Sequence, residues 1–137
     1  MTTTYPMSLV LSVGQPLKLD KIQPGERKLA FADEVVRAVE STVQQVGGDG
    51  EREPSWIEFD TWLRTSGRPS ERAAALGAFE AALRYAVRAE IDGLTYPITR
   101  IRVTTRAPTG RGYRLTVSMI GPHFDFQDAQ GNPAPLW

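Results

Sequence analysis

The sequence predicts an α+β fold, a two-layer sandwich with two long helices packed on one face of an antiparallel or mixed β-sheet. Two patterns predict this class. Apolar residues recur at helical spacing across residues 24–47 and 70–91. Apolar and polar residues alternate across residues 98–106 and 111–120, as in a half-buried hairpin. The 137 residues include no cysteine, so we expect a single α+β domain, residues 1–137, that needs no disulfide.

The N-terminal part is predicted to form two strands followed by the first long helix. Residues 7–13 and 17–22 have the composition of strands, and the Gly-Gln-Pro segment between them fits a tight connection. Pro24 is predicted at the first helical position, where its missing N–H has no partner to lose. Gly47 is predicted to end the helix, because glycine adopts the left-handed C-terminal conformation without a clash.

Residues 56–63 admit two interpretations. Ser55 and Glu58 fit a capping box, which favours a short helix extending to about Thr65. The alternative is a strand, and both interpretations stay open. A second long helix is then predicted from Ser70, a good N-cap, to a stop at Gly93. Its apolar stripe consists of Leu76, Phe79, Leu83, Val87 and Ile91.

The hairpin at residues 98–120 is the clearest β signal. Residues 107–110, Ala-Pro-Thr-Gly, fit a type I turn with proline second and glycine fourth. The alternation predicts one core face and one solvent face. The solvent face is predicted to carry four arginines and no acid: Arg100, Arg102, Arg106 and Arg114. A further short strand is predicted at residues 123–127.

The net charge of zero excludes a globally basic nucleic-acid binder, but the charges are segregated along the chain. Residues 64–114 contain ten arginines and four acids, a net charge of +6. Residues 1–63 carry a net charge of −4, and the tail after Arg114 carries −2. Segments of opposite charge can neutralise each other within one fold or between copies.

The sequence shows no catalytic constellation, so no catalytic residue, cofactor or metal site is predicted and we do not expect an enzyme; an acid–base site at His123, Asp125 and nearby arginines is the third hypothesis, after assembly and nucleic-acid binding. His123 is the sole histidine, and beside Asp125 it fits a hydrogen-bonded surface residue. Zinc sites built from cysteine or from several histidines are excluded. The glycines at residues 47–50 lack the spacing of a phosphate-binding loop. The acids between residues 51 and 60 are expected to be solvated or to cap a helix.

The arginine-rich face is the main candidate for binding. Clustered guanidinium groups need anions, and these could belong to nucleic acid, to another subunit or to the chain's own first half. Arginine pairs with phosphate and carboxylate alike, so all three alternatives stay open. The aromatic cluster at residues 56–63 fits either the core or an interface. The predicted partner-binding residues are Arg100, Arg102, Arg106, Arg111, Arg114, Trp56, Trp62 and Trp137.

The functional expectation is a non-enzymatic assembly or interaction protein that acts as a homo-oligomer or as a component of a larger particle. A virion or phage-tail component would fit by analogy alone. The alternative is a nucleic-acid-binding protein that uses the arginine-rich face of the 98–120 hairpin. The sequence has no secretory signal and no apolar stretch of membrane-spanning length. We therefore expect no membrane partner and a cytoplasmic location, or a place within an assembled particle.

Overall fold

The computed structural model describes residues 3–28, 55–65 and 67–137, which form a nine-stranded antiparallel sheet and one helix. The helix α1 (Pro69–Leu83) lies between the third and fourth strands in the chain. Across the sheet the strand order is β6-β7-β3-β2-β1-β4-β5-β8-β9. The strands are β1 (Tyr5–Leu11), β2 (Leu17–Lys28), β3 (Ser55–Arg64), β4 (Ala86–Ile91), β5 (Leu94–Pro97), β6 (Arg100–Thr109), β7 (Gly112–Gly121), β8 (Phe126–Gln127) and β9 (Pro133–Ala134).

The predicted sandwich with two long helices is wrong, because the described chain is mostly sheet with one short helix. Residues 24–28 continue β2 and do not begin a helix, while residues 29–47 lie outside the described residues. Pro24 lies opposite Phe59 at a bulge, where Gly25 and Glu26 together face Glu58. A bulge is one of the few places in a sheet that tolerates proline.

The second predicted helix is shorter than expected: it ends at Leu83, and the chain continues into β4. The apolar pair Val87 and Ile91 fits helical spacing, yet with Ala89 it also fits the two-residue period of a strand. Asp92 and Gly93 both have positive φ angles, 49° and 83°. They form the two-residue turn of the β4–β5 hairpin, for which Asp-Gly is a favoured sequence.

Residues 55–64 form the strand β3, so the capping-box helix is wrong and the alternative interpretation is confirmed. This strand lies between β2 and β7, and it pairs with β7 without interruption from Ser55 opposite Gly121 to Arg64 opposite Gly112. Ile57 and Phe59 are buried in the core beneath it. Pairing with a strand on each edge and burial of Ile57 and Phe59 on one face outweigh a capping preference of about 1 kcal/mol.

The hairpin predicted at residues 98–120 is confirmed as β6 and β7, but its turn is two residues later than expected. Thr109 and Gly112 form the last pair, so Pro108 lies within β6. Val103 pairs with Val117 whereas Thr105 pairs with Thr116, which makes Thr104 an extra, bulged residue. The bulge reverses the faces of all side chains beyond it.

The core lies between α1 and the inner face of a curled sheet. Phe79 and Leu83 of α1 pack into the same buried cluster as the apolar residues of β1, β3 and β7. The curl brings β5 against the end of β7, since a Cβ atom on Gly121 would lie 2.3 Å from the carbonyl oxygen of Pro97. Only glycine fits so close an approach. Within the described ranges, no helix has the length and apolarity to cross a membrane.

The C-terminal tail folds back onto its own chain. Phe126 is fully buried, tilted against Tyr96 at 5.4 Å and stacked on Trp137 at 5.5 Å between ring centroids. Asp125 forms an ion pair with Arg27 of β2. The tail therefore contacts both β2, through Arg27, and β5, through Tyr96. The strand predicted at residues 123–127 is limited to the two residues of β8.

Candidate interaction surfaces

The outer face of the sheet, turned away from α1, contains most of the sequence-predicted binding residues. Strand pairing aligns alternate residues of β3, β7 and β6 on this face, because directly opposed residues point to the same side. These residues are Trp56, Glu58, Asp60 and Trp62 of β3, Arg114, Thr116, Ser118 and Ile120 of β7, and Arg100 and Arg102 of β6.

Arg114 and Trp62 are engaged within the chain. The guanidinium of Arg114 donates to Oδ2 of Asp60 through Nε at 3.0 Å and Nη2 at 2.6 Å. The hydroxyl of Thr116 donates to the other oxygen of Asp60 at 2.7 Å. Lys21 Nζ lies 4.8 Å and the Arg114 guanidinium carbon 5.5 Å from the ring of Trp62. Asp60, an acid of the first half of the chain, thus balances one arginine of the cluster, in line with one of the alternatives left open by the sequence.

Arg106 is not on the outer face, so its predicted grouping with Arg100 and Arg102 is wrong. The Thr104 bulge places Arg106 opposite Leu115, a core residue, and therefore on the side of α1. There its Nε and Nη2 donate to both carboxylate oxygens of Glu80, at 2.6 and 2.7 Å. These hydrogen bonds lower the pKa of Glu80 and raise the pKa of Arg106.

Arg111 lies in the β6–β7 turn, away from the strand faces. Its backbone N–H is bonded to Thr109 Oγ1 at 3.2 Å, and its carbonyl accepts the Thr65 N–H at 3.0 Å. The turn is fastened to α1 by Arg72, which donates to the carbonyls of Thr109 at 2.8 Å and Gly112 at 2.6 Å. The Arg111 side chain is left exposed at the tip of the hairpin.

Arg100 and Arg102 are the two outer-face arginines that form no ion pair among the described residues. Both are exposed, opposite Ile120 and Ser118 respectively. Ser118 is fully buried, and its Oγ has no hydrogen-bond partner in the described part of the chain. Trp56 is half-buried and continues the row of Arg100 and Ile120.

The remaining predicted positions divide between structural contacts and undescribed residues. Trp137 packs on its own chain and donates from Nε1 to the carbonyl of Glu58 at 2.7 Å. Asp125, beside the half-buried His123, is held by Arg27, whose guanidinium lies 3.9 Å from the ring centre of Phe124. No group of three or more potential metal ligands occurs in the described ranges. Residues 47–54 lie outside those ranges.

A second surface, missed by the sequence analysis, combines the exposed large apolar residues. Val13, Tyr85 and Val87 have exposed fractions of 58%, 50% and 41%. The backbone N–H of Ser12, which precedes Val13, donates to the carbonyl of Tyr85 at 2.7 Å, so the chain at Val13 runs close to the chain at Tyr85. Val87 is the extra residue of a bulge in β4. We call these three residues the α1–β4 patch.

The solvent side of α1 adjoins this patch and carries no charge along its middle. Its exposed residues there are all alanine or glycine: Ala73, Ala74, Gly77, Ala78 and Ala81. Arg72 and Glu80, the charged residues between Glu71 and Arg84, are both turned toward the hairpin. The run of alanine and glycine on one side of α1 can be read from the sequence. It was not recognised as a surface because the predicted helix was assumed to extend to Gly93.

No protein family, curated protein or solved structure matches the chain. Function is therefore inferred from these two surfaces.

Proposed function

We propose that the protein is a non-enzymatic assembly protein that self-associates through the α1–β4 patch and the adjoining side of α1. One observation carries the proposal. In the described part of the chain, the exposed large apolar residues are Val13, Tyr85 and Val87, and a backbone hydrogen bond at Ser12 brings the chain at Val13 next to Tyr85, two residues before Val87. Contiguous exposed apolar patches larger than about a few hundred Å² are uncommon on soluble monomers and typical of interaction sites. The continuation of the patch onto an uncharged helix side enlarges that surface.

A second copy is the occupant that the charges of α1 favour. Two such helices, packed antiparallel about a two-fold axis between Gly77 and Ala78, would bring Glu71 opposite Arg84 of the second copy. Both residues are exposed and lie at opposite ends of α1. In the same register Ala74 faces Ala81, and Tyr85 faces Ser70. A two-fold interface repeats each of these contacts, and small residues at its centre let the helix axes approach to about 8 Å.

Gly77 supports a close approach at that point. Glycine in an exposed helix interior is less stable than alanine by about 1 kcal/mol. A Cβ atom at Gly77 would meet no atom of the described chain within 4 Å, so nothing in those ranges requires glycine there. Close approach of the backbone of a second copy would explain why this position is glycine.

Molar mass in solution tests the proposal with a matched pair of variants. We expect wild-type protein at tens of micromolar to scatter light as a dimer or larger assembly. Ala78→Glu should reduce the mass to that of one chain, because it buries a carboxylate at the centre of the contact. Ala129→Glu, at an exposed position in the turn before β9, should leave the assembly unchanged. A monomeric wild type, or equal masses for both variants, would contradict the proposal.

Charge reversal at Glu71 and Arg84 tests the antiparallel register itself. Arg84→Glu should weaken association, because two carboxylates then face each other. Glu71→Arg together with Arg84→Glu should restore it, since the pair is re-formed in reverse. Rescue by the double variant would not occur if the two residues merely adjusted the stability of α1.

Nucleic-acid binding through the hairpin is the alternative proposal. It rests on fewer arginines than the sequence predicts. Arg100, Arg102 and Arg111 form no ion pair among the described residues, whereas Arg106 and Arg114 are engaged within the chain. The same scattering experiment, repeated with DNA or RNA over a salt series, decides it. Phosphate contacts require affinity to fall steeply with salt, and absence of binding at low salt would remove this alternative.

A further inference from the structure

We propose that the edge of β6 at residues 100–103 binds an extended protein segment in which acidic and apolar residues alternate. This inference concerns a different surface from the α1–β4 patch and does not depend on self-association. It rests on three features of β6: its position in the sheet, the length of its regular part and its side chains.

The position of β6 leaves backbone groups available. Among the described strands it is the last one of the sheet, and it pairs there with β7 alone. In such a strand, alternate N–H and C=O groups point away from the sheet and can pair with an added strand. The opposite edge is β9, which has two residues and includes Pro133, a residue without an N–H. The sheet therefore has one long edge and one short, protected edge.

The accessible part of β6 is limited to its first four residues. Beyond Val103 the Thr104 bulge interrupts the regular backbone pattern. Further along, Pro108 lacks an N–H, and Arg106 is drawn toward α1 by Glu80. Bulges and prolines are the features with which proteins protect sheet edges, so residues 100–103 are the unprotected stretch.

The side chains of residues 100–103 define the chemistry of the partner. Arg100 and Arg102 point to the outer face without an ion pair in the described ranges, while Ile101 and Val103 are half-buried on the inner face. An added strand places its side chains directly opposite these, about 5 Å away. Acidic residues would meet the arginines, and apolar residues would cover Ile101 and Val103. The β6 edge of a second copy is disfavoured because it would bring arginines together.

The test uses two synthetic peptides, acetyl-Glu-Val-Glu-Val-Glu-amide and acetyl-Lys-Val-Lys-Val-Lys-amide, titrated into isotope-labelled protein. We expect the acidic peptide to shift the amide resonances of residues 100–103 and to slow their hydrogen exchange. Its affinity should exceed that of the lysine peptide by at least about tenfold. Titration of both wild type and Ala78→Glu shows whether the result depends on self-association.

A matched pair of variants completes the test. Arg100→Glu combined with Arg102→Glu should weaken binding of the acidic peptide by at least about tenfold, while Lys18→Glu combined with Arg68→Glu, the same change of charge at exposed positions outside β6, should bind it like wild type. Equal affinity for both peptides, shifts confined to other residues, or no response would overturn the proposal. Binding of a single-stranded oligonucleotide at residues 100–103 without any response to the acidic peptide would also overturn it, in favour of nucleic-acid recognition.

Discussion

The indole Nε1 of Trp137 donates a hydrogen bond of 2.7 Å to the backbone carbonyl of Glu58, 79 positions earlier in the chain. Glu58 lies opposite the β2 bulge, where the regular pairing with β3 is interrupted. The ring of Trp137 stacks on Phe126. The side chain of Trp137 thus combines a polar contact with β3 and apolar packing on Phe126. These two contacts attach the C-terminal tail to the sheet.

Trp137→Phe tests the polar half of this contact. The variant keeps an aromatic ring but leaves the Glu58 carbonyl without its indole donor, so the free energy of unfolding should fall by about 1 kcal/mol. Trp137→Ala also removes the stacking and should lose about 2–3 kcal/mol. Trp62→Phe, on the outer face, is the control and should change stability less. Urea unfolding measures all three, and a fully stable Trp137→Phe would show that the hydrogen bond contributes nothing.

Gly112→Ala should be among the most damaging small substitutions in the described chain. The residue has a φ of 151°, and its added Cβ would lie 1.9 Å from the carbonyl oxygen of Leu63 in the neighbouring strand. Since backbone must move, we expect a loss of more than about 2 kcal/mol. Gly110→Ala, in the same turn but with no atom within 4 Å, is the matched control. Similar melting temperatures for the two variants would contradict this account.

Stability should decrease in acid through the pair formed by Glu80 and Arg106. The hydrogen bond from Arg106 lowers the pKa of Glu80 below its ordinary value of 4.5. This contribution is complete above pH 4.5 and is lost as the pH falls through the lowered pKa of the folded state. Because the pair is partly exposed, it should contribute less than about 1 kcal/mol.

Glu80→Gln checks this acid dependence. The variant should lose stability at neutral pH and show a shallower decline between about pH 5 and pH 3. Glu26→Gln removes one negative charge at an exposed site and should retain the wild-type slope. Identical slopes for wild type and Glu80→Gln, measured by denaturant unfolding across the pH range, would exclude a role for the pair.

Alkaline pH should destabilise the protein through Tyr96. Burial raises the pKa of this phenol well above its ordinary value of 10.0, the nearby Asp125 raises it further, and a backbone hydrogen bond with Gly121 opposes the change. The folded state therefore keeps the proton when the unfolded chain loses it. Stability is complete below pH 10 and is lost as the pH rises above that value.

Comparison of Tyr96→Phe with Tyr85→Phe measures this effect. Tyr96→Phe should make stability nearly independent of pH between about 9 and 11, whereas the exposed Tyr85 should leave the wild-type decline in place. Unfolding by denaturant at several alkaline pH values provides the measurement. An unchanged decline in Tyr96→Phe would assign the alkaline sensitivity to another group.

Gly77→Ala should separate the stability of one chain from assembly. The added methyl group meets no atom within 4 Å in the described chain, so the helix should gain about 0.5–1 kcal/mol. The same methyl group would push apart two helices packed at this position, so the association constant should fall. Unfolding of dilute protein and sedimentation equilibrium measure the two effects. A variant that is more stable and still assembles like wild type would place the interface elsewhere.

Local patterns predicted part of the fold correctly. The alternation across residues 98–120 identified the β6–β7 hairpin, and residues 7–13 and 17–22 identified β1 and much of β2. Two-residue alternation is set by the strand itself, so it can be recognised without knowledge of its neighbours. The second helix was predicted too long because short apolar runs satisfy two periods. Val87 and Ile91 fit a helix by spacing, and the Asp-Gly turn after them was interpreted as a helix end.

The composition of the binding surfaces was predicted less well, because it depends on register and on distant partners. The Thr104 bulge moved Arg106 to the other face of β6, and no feature of the sequence signals one extra residue in a strand. Arg114 meets Asp60 across 54 positions of sequence. The α1–β4 patch forms only because the end of β1 lies beside the residues that follow α1.

The sequence by itself determined which segments alternate, where arginine is concentrated and that thiol chemistry and zinc sites built from cysteine or several histidines are excluded. Those properties are local or additive along the chain. Only the tertiary structure decided that β3 is a central strand, that Arg106 and Arg114 are matched by carboxylates of their own chain, and that Trp137 packs inward. Each of these outcomes depends on which residues strand pairing brings together, and burial and charge pairing act on spatial neighbours whatever their separation in sequence.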